Sequence, residues 1–164
     1  MKGKRTKKQC IEELVEPLNT LRKEKDVQDM VVHRFQALFL EEGVFSPTIQ
    51  EFPCPVAVFQ PDGMIVTVNN TLTEETGLYI SQSTTKKHNI LNRITDPNFQ
   101  VLDAVEDVFS GKTSFLIRLS DPLAMFLQEN SSKQLDSETY QSALFLPIAE
   151  DGSQVTHGAV IFMK

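Results

Sequence analysis

Glu51-Phe-Pro-Cys-Pro-Val-Ala-Val-Phe-Gln-Pro-Asp-Gly-Met-Ile-Val-Thr-Val-Asn-Asn-Thr-Leu-Thr-Glu-Glu-Thr-Gly77 reads as a strand, a tight turn, a second strand and a capped helix. Val56, Ala57, Val58 and Phe59 form a short apolar run bounded by prolines, while Met64 to Val68 is rich in β-branched residues and ends at Asn69-Asn70. Between them, Pro61-Asp62-Gly63 has turn chemistry: proline presets φ, aspartate bonds nearby backbone and glycine takes a positive φ. Asn69 or Asn70 is placed to cap the next helix by accepting from amides of its first turn. Thr71 with Glu74 offers a capping box as an alternative, and Gly77 is placed to end the segment.

Upstream, residues 1–8 read as a basic, disordered terminus and residues 9–51 as a helical extension with a connector. Gln9 to Glu42 is helical in pattern and in at least two pieces, because a proline inside a helix costs about 3 kcal/mol and Pro17 lies within it. The second piece, Val27 to Leu40, puts Val27, Met30, Val31, Phe35, Leu38 and Phe39 on one broad face. That face is too apolar to stand in water. It must cover a sheet, a partner helix or both, which makes these six residues candidates for a dimer interface. Gly43 supplies a stop.

Downstream, Leu78 to Lys87 lacks periodicity, and His88 to Ile94 is a short helical candidate closed by Asp96-Pro97. Asn98 to Ser110 is the best helix of this part, with Phe99, Leu102, Val105, Val108 and Phe109 at helical spacing and Asp103, Glu106 and Asp107 on the other side. From Lys112 the period becomes two. Phe115, Ile117 and Leu119 are expected to face inward from a strand. Asp121 to Glu138 is a long connection containing the apolar patch Leu123 to Leu127. Thr139 to Ala149 and Val155 to Met163 then read as strands joined by a hairpin at Glu150 to Ser153.

Two strands, short helices, one longer helix and three strands is an order that resembles the PAS domain, a sensor and interaction module of signalling proteins. The pattern from Pro55 through Pro61-Asp62-Gly63 to Val68-Asn69-Asn70, and the helix ending Val108-Phe109-Ser110-Gly111, carry the resemblance over about Phe52 to Met163. It implies an α+β fold: a five-stranded antiparallel sheet with helices on one face and the first two strands in the middle. Residues 52–164 would form this domain. The other sheet face would be covered by the amino-terminal helical extension or by a second subunit, which agrees with strands apolar at both parities.

Composition limits the alternatives. The chain has 164 residues, 40% hydrophobic, and a mean hydropathy of −0.20, enough for one globular domain with an appendage. No apolar run is long enough for a membrane span, and the start does not resemble a secretion signal, so the cytoplasm is the expected compartment. Five of the first eight residues are cationic in a chain of net charge −6. The body is therefore acidic and repels phosphates, and direct nucleic-acid binding is not expected. Cys10 and Cys54 read as two reduced thiols, with no metal-binding spacing.

In the PAS family a pocket lies between the helices and the sheet. Photoactive flavin members need a cysteine in the helical region after the first hairpin, and Ser81 to Ile94 has none. Haem-binding members present a histidine from the long helix, and Asn98 to Ser110 has none; His88 is the nearest substitute and reads as a loop residue. No cofactor is expected. Phe99, Leu102, Phe115, Ile117, Tyr140, Ser142, Leu144 and His157 are the ligand-pocket candidates, with Tyr140 and Ser142 able to orient a small ligand through their hydroxyls. Each polar member also has a plain reading as a locally satisfied side chain. No catalytic motif occurs, so an enzyme is not expected.

Two functions remain. In one, a small-molecule ligand enters the pocket and shifts the packing of the sheet on the Val27 to Leu40 helix, biasing a homodimer or an effector domain. In the other, phenylalanines such as Phe99, Phe109, Phe115 and Phe145 fill the core, the amino-terminal helix is only a dimer interface, and removing Met1 to Leu40 leaves a folded monomer. A role in transcription regulation is an analogy from the family.

Overall fold

The computed structural model describes residues 6–18, 25–80, 88–127, 140–149 and 154–164. Two amino-terminal helices, α1 (Lys7–Leu18) and α2 (Lys25–Glu42), precede a short α3 (Pro47–Gln50). The hairpin follows as β1 (Val56–Phe59) and β2 (Ile65–Val68), then α4 (Asn70–Thr76), two 3-10 turns at Ile90–Arg93 and Asp96–Asn98, and α5 (Gln100–Phe109). β3 (Ser114–Leu116), a 3-10 turn at Pro122–Phe126, β4 (Ser142–Ile148) and β5 (His157–Met163) complete the chain. Lys7 and Lys8 are thus already helical, inside the stretch expected to be disordered, and α1 ends one residue after Pro17.

The hairpin forms as its residues dictate. The Gly63 amide donates to the Gln60 carbonyl at 2.8 Å, and Asp62 Oδ1 accepts from the Met64 amide at 3.0 Å. Gly63 has φ +88, and a Cβ there would sit 2.5 Å from Asn89 Oδ1, so glycine is required twice over. A bulge between Val58 and Phe59 absorbs the turn's register. Asn69, not Asn70, caps α4, accepting from the Leu72 amide at 3.1 Å, and Gly77 ends that helix at φ +78.

The five strands form one antiparallel sheet in the order β2-β1-β5-β4-β3. This corrects the expectation that the first hairpin is central: β2 is an edge strand and β5 occupies the middle. β5 is long enough to pair on both sides, with β1 through Val56↔Ile161 and with β4 from Ser142↔Met163 to Ile148↔His157. The β4-β5 pairing is the hairpin read from the sequence; its Glu150 to Ser153 turn lies outside the described residues.

Both faces of the sheet are buried, by two separate cores. On one face α4, α5 and the 3-10 turns pack Leu72, Val101, Ala104, Val105, Val108, Leu123, Met125 and Phe126 against Ala57, Phe59, Ala143, Phe145, Val160 and Phe162. On the other, α1 to α3 pack Leu14, Val31, Phe35, Phe39 and Ile49 against Val56, Val58, Leu144, Leu146, Ala159 and Ile161. Successive residues of β1, β4 and β5 therefore serve opposite cores, as the two-residue period requires. Residues 9–51 are not an appendage; they supply half of the second core.

Val31, Phe35, Leu38 and Phe39, read as candidates for a dimer interface, are buried in that second core. The apolar stripe covers the chain's own sheet, the first of the coverings the sequence left open, so these four side chains are not available as an interface. Met30 stays exposed, and the Val27 side chain lies outside what is described. Polar ties fix the helix pair in place: Arg34 Nη1 donates to the Glu13 carbonyl at 2.7 Å and Gln36 Nε2 to the Pro147 carbonyl at 3.1 Å.

Candidate functional site

The region between α5 and the sheet is the candidate site. Its walls are closely filled by aromatic rings in edge-to-face contact: Phe59 meets Phe145 at 6.3 Å and Phe109 at 5.8 Å, and Phe126 meets Phe162 at 5.6 Å between centroids. Gly158 makes this packing close. It lies opposite Phe59 in the sheet, and a Cβ there would come within 2.6 Å of the Phe59 ring and 2.7 Å of Val108. Met125 and Phe126 are supplied by the connection after β3, whose Leu123 to Leu127 patch enters the core as a 3-10 turn. Arg93 donates to the Leu127 carbonyl and ties the end of that turn to the Ile90–Arg93 turn.

Of the eight pocket candidates, the structure brings only Tyr140 into this core. Phe99 and Leu102 are 62% and 37% exposed, because α5 turns its Val101, Ala104, Val105 and Val108 arc inward. Phe115 packs in the opposite core, and its neighbour Leu116 faces α5 instead. Ile117 is 46% exposed, since β3 stops at Leu116 and Arg118 takes a left-handed conformation with φ +58 that breaks the alternation. Leu119 returns to the helix-side core, as expected for it. Leu144 belongs to the second core; Ser142 and His157 share its parity through the β4-β5 register, with Ser142 buried and His157 half-buried. Of the phenylalanines read as core filling, Phe145 and Phe109 serve this core, whereas Phe99 and Phe115 do not.

Tyr140 is the polar element of the interior rim. Its hydroxyl donates to Glu75 Oε1 at 3.4 Å, and Lys164 Nζ lies 5.6 Å from the ring centroid. Burial, then the adjacent Glu75 carboxylate, pushes the phenol up to about 12. Burial likewise pushes the Cys54 thiol up to about 11, with Lys164 opposing it. A thiol held protonated at neutral pH is a poor nucleophile and a poor metal ligand. Among the described residues no three His, Cys, Asp or Glu side chains gather as a metal site. His88 sits against the β2 edge, its carbonyl accepting from the Ile65 amide at 2.8 Å.

Asn69 does more than its cap signal foretold. Its Oδ1 also accepts from the Val56 amide at 2.9 Å, and its Nδ2 faces the carbonyls of Ile49, Phe52 and Cys54 at 3.1, 3.2 and 2.8 Å. One buried amide thus joins α3, the connector, β1 and α4. Thr71, the alternative cap, donates instead to the Phe52 carbonyl at 2.6 Å. These partners lie 13 to 20 residues away, beyond the reach of a spacing argument.

Among the described residues no helix is long and apolar enough to cross a membrane. No protein-family profile and no curated protein matches the chain. Among solved structures it is similar to a sensory box sensor histidine kinase from Vibrio cholerae, at 16% identity over 79% of this chain and 95% of that one, with a TM-score of 0.44. It is similar also to the PAS domain of BvgS from Bordetella pertussis, at 14% identity over 71% and 79% of the two chains and a TM-score of 0.44. A third is the PAS domain of an HTR-like protein from Haloarcula marismortui, at 17% identity over 86% and 96% and a TM-score of 0.42. In its own element order and its five-stranded antiparallel sheet, the chain has a PAS-like α+β fold.

Proposed function

We propose that the chain is a cytoplasmic, non-catalytic sensory module of PAS type, in which a small apolar or mixed ligand alters the helix-side core and the sheet passes the change to α1 and α2. One observation carries this reading: neighbouring residues of β1 and β5 belong to opposite cores, Phe59 and Val160 to one, Val58 and Ile161 to the other. A displacement of either strand is therefore felt on both faces, because close-packed interiors transmit strain. The Pro122–Phe126 turn is the element a ligand would displace, since it joins the core from a connection outside the regular elements. Output would pass to an effector domain or to a homodimer. Self-association would use surface that α2 leaves exposed, Met30 and Leu40 included, because the apolar stripe is engaged. Control of transcription is one output such a module serves.

The test is hydrogen exchange on the Phe126→Ala variant, which opens a void in the helix-side core alone. Exchange in α2 is expected to speed up together with that of α4 and α5. Unchanged protection throughout α2, beside loosened α4 and α5, would refute the coupling. A ligand is sought by native mass spectrometry of the purified chain and by thermal-shift screening.

The interlocked phenylalanines favour a second reading, an interaction domain with its interior filled by its own side chains. An empty ligand screen together with rigidly coupled cores would select it.

A further inference from the structure

A groove of about 530 Å³ lies between the start of α2 and the β3 edge, lined by Gln28, Phe115, Ile117, Arg118 and Gln141. Its volume is that of a site for a small organic molecule. Phe115 and Ile117 give it an apolar wall. Arg118 is the one cation in the lining and, among the described residues, has no ion pair or hydrogen bond.

The position of Arg118 is maintained at a cost. A non-glycine residue at φ +58 is strained, and such strain persists only where the surroundings enforce it. Here both flanks are anchored. Gln100 Nε2 donates to the Ile117 carbonyl at 3.3 Å, and the Leu119 amide donates to the Gln141 carbonyl at 2.8 Å. Buried Asn98 then grips Ser120 twice, donating to its carbonyl at 2.6 Å and accepting from its amide at 2.9 Å. The guanidinium is thus carried on a braced loop, beside an exposed amide side chain and against an apolar wall.

We propose that this groove binds a small organic carboxylate with a short apolar tail. A planar guanidinium matches a carboxylate in bidentate geometry, and the Gln141 amide can supply a further donor. The tail would lie along Phe115 and Ile117, which inorganic phosphate could not use. In a chain of net charge −6, an unpaired arginine at an apolar recess marks the place where an anion is attracted rather than repelled. The site does not depend on the helix-side interior, because Phe115 belongs to the opposite core.

The experiment is a titration of the full chain, followed by amide chemical shifts in nitrogen-labelled protein, with hexanoate as the probe and hexanamide and inorganic phosphate in parallel. Hexanoate is expected to shift the amides of Phe115, Ile117, Arg118 and Gln141 saturably, with binding at least tenfold tighter than that of the other two. Arg118→Gly, whose backbone adopts the left-handed conformation without strain, and Arg118→Gln should each weaken hexanoate binding at least tenfold while keeping a native spectrum. Absence of a saturable response to hexanoate would overturn the proposal. So would an equal response to hexanamide or phosphate, or undiminished binding in both variants.

Discussion

Asn69 is the residue on which most elements converge. Replacing it by alanine removes an N-cap and leaves the Val56 amide and three carbonyl groups to find other partners. A cap is worth about 1 kcal/mol and a buried group left unsatisfied costs about 1 to 3 kcal/mol, so Asn69→Ala should lose about 3 kcal/mol in urea unfolding. Asn69→Asp separates the two roles. It keeps the acceptor but turns the three donor contacts into repulsion between a carboxylate and carbonyls, and it should be no more stable than the alanine variant. An aspartate variant as stable as the wild type would show that capping alone matters. Asparagine at the start of α4 was legible as a cap because a cap is a local interaction. Its long-range bonds were not, since nothing in the spacing says that residues 49 to 54 return to the same point.

Among the elements, α5 and α2 show how much a helical pattern can tell. α5 is apolar over about half of its circumference, an arc that takes in Leu102 and Phe109 as well as Val101 and Ala104, while Phe99 precedes the helix. The structure chooses the arc with smaller side chains, which lets the helix approach Phe59 and Gly158. For α2 the stripe is legible but the choice between its own sheet and a second subunit is not, because an apolar face carries no label saying which surface covers it. The consequence is testable. Removing residues 1–42 strips Leu14, Val31, Phe35 and Phe39 from the second core and exposes Val56, Val58, Leu144, Leu146 and Ile161 to water. Each such side chain is worth about 1.5 to 3 kcal/mol when buried, more together than a domain's net stability. The truncated chain should aggregate or bind a hydrophobic dye, the opposite of the folded monomer that the interaction-domain reading expects on removal of Met1 to Leu40. A soluble, cooperatively unfolding fragment would contradict the packing described.

For the whole molecule, the raised Cys54 and Tyr140 groups set a limit at alkaline pH. Both hold their protons more tightly in the folded state than in the unfolded chain, where their ordinary values are 9.0 and 10.0. Their contribution is therefore fully present below about pH 9 and is lost as pH rises toward about 11 and 12. The urea midpoint should fall through this interval, and Cys54→Ala combined with Tyr140→Phe should flatten the fall relative to its own value at pH 7. An equally steep fall in the double variant would assign it to other groups.

The amino-acid sequence by itself determined the hairpin, its Pro61-Asp62-Gly63 turn, the start of α4 to within two residues and its stop at Gly77, the number of strands and the α+β class. Each depends on interactions within a few residues or on a simple period. Tertiary structure alone decided that β5 is central, which parity of each strand faces α5, that the Leu123 to Phe126 segment enters the core, and that α2 covers its own sheet. When both faces of a sheet are buried, both parities are apolar and the period no longer distinguishes inside from outside. Only the packing of the two cores does.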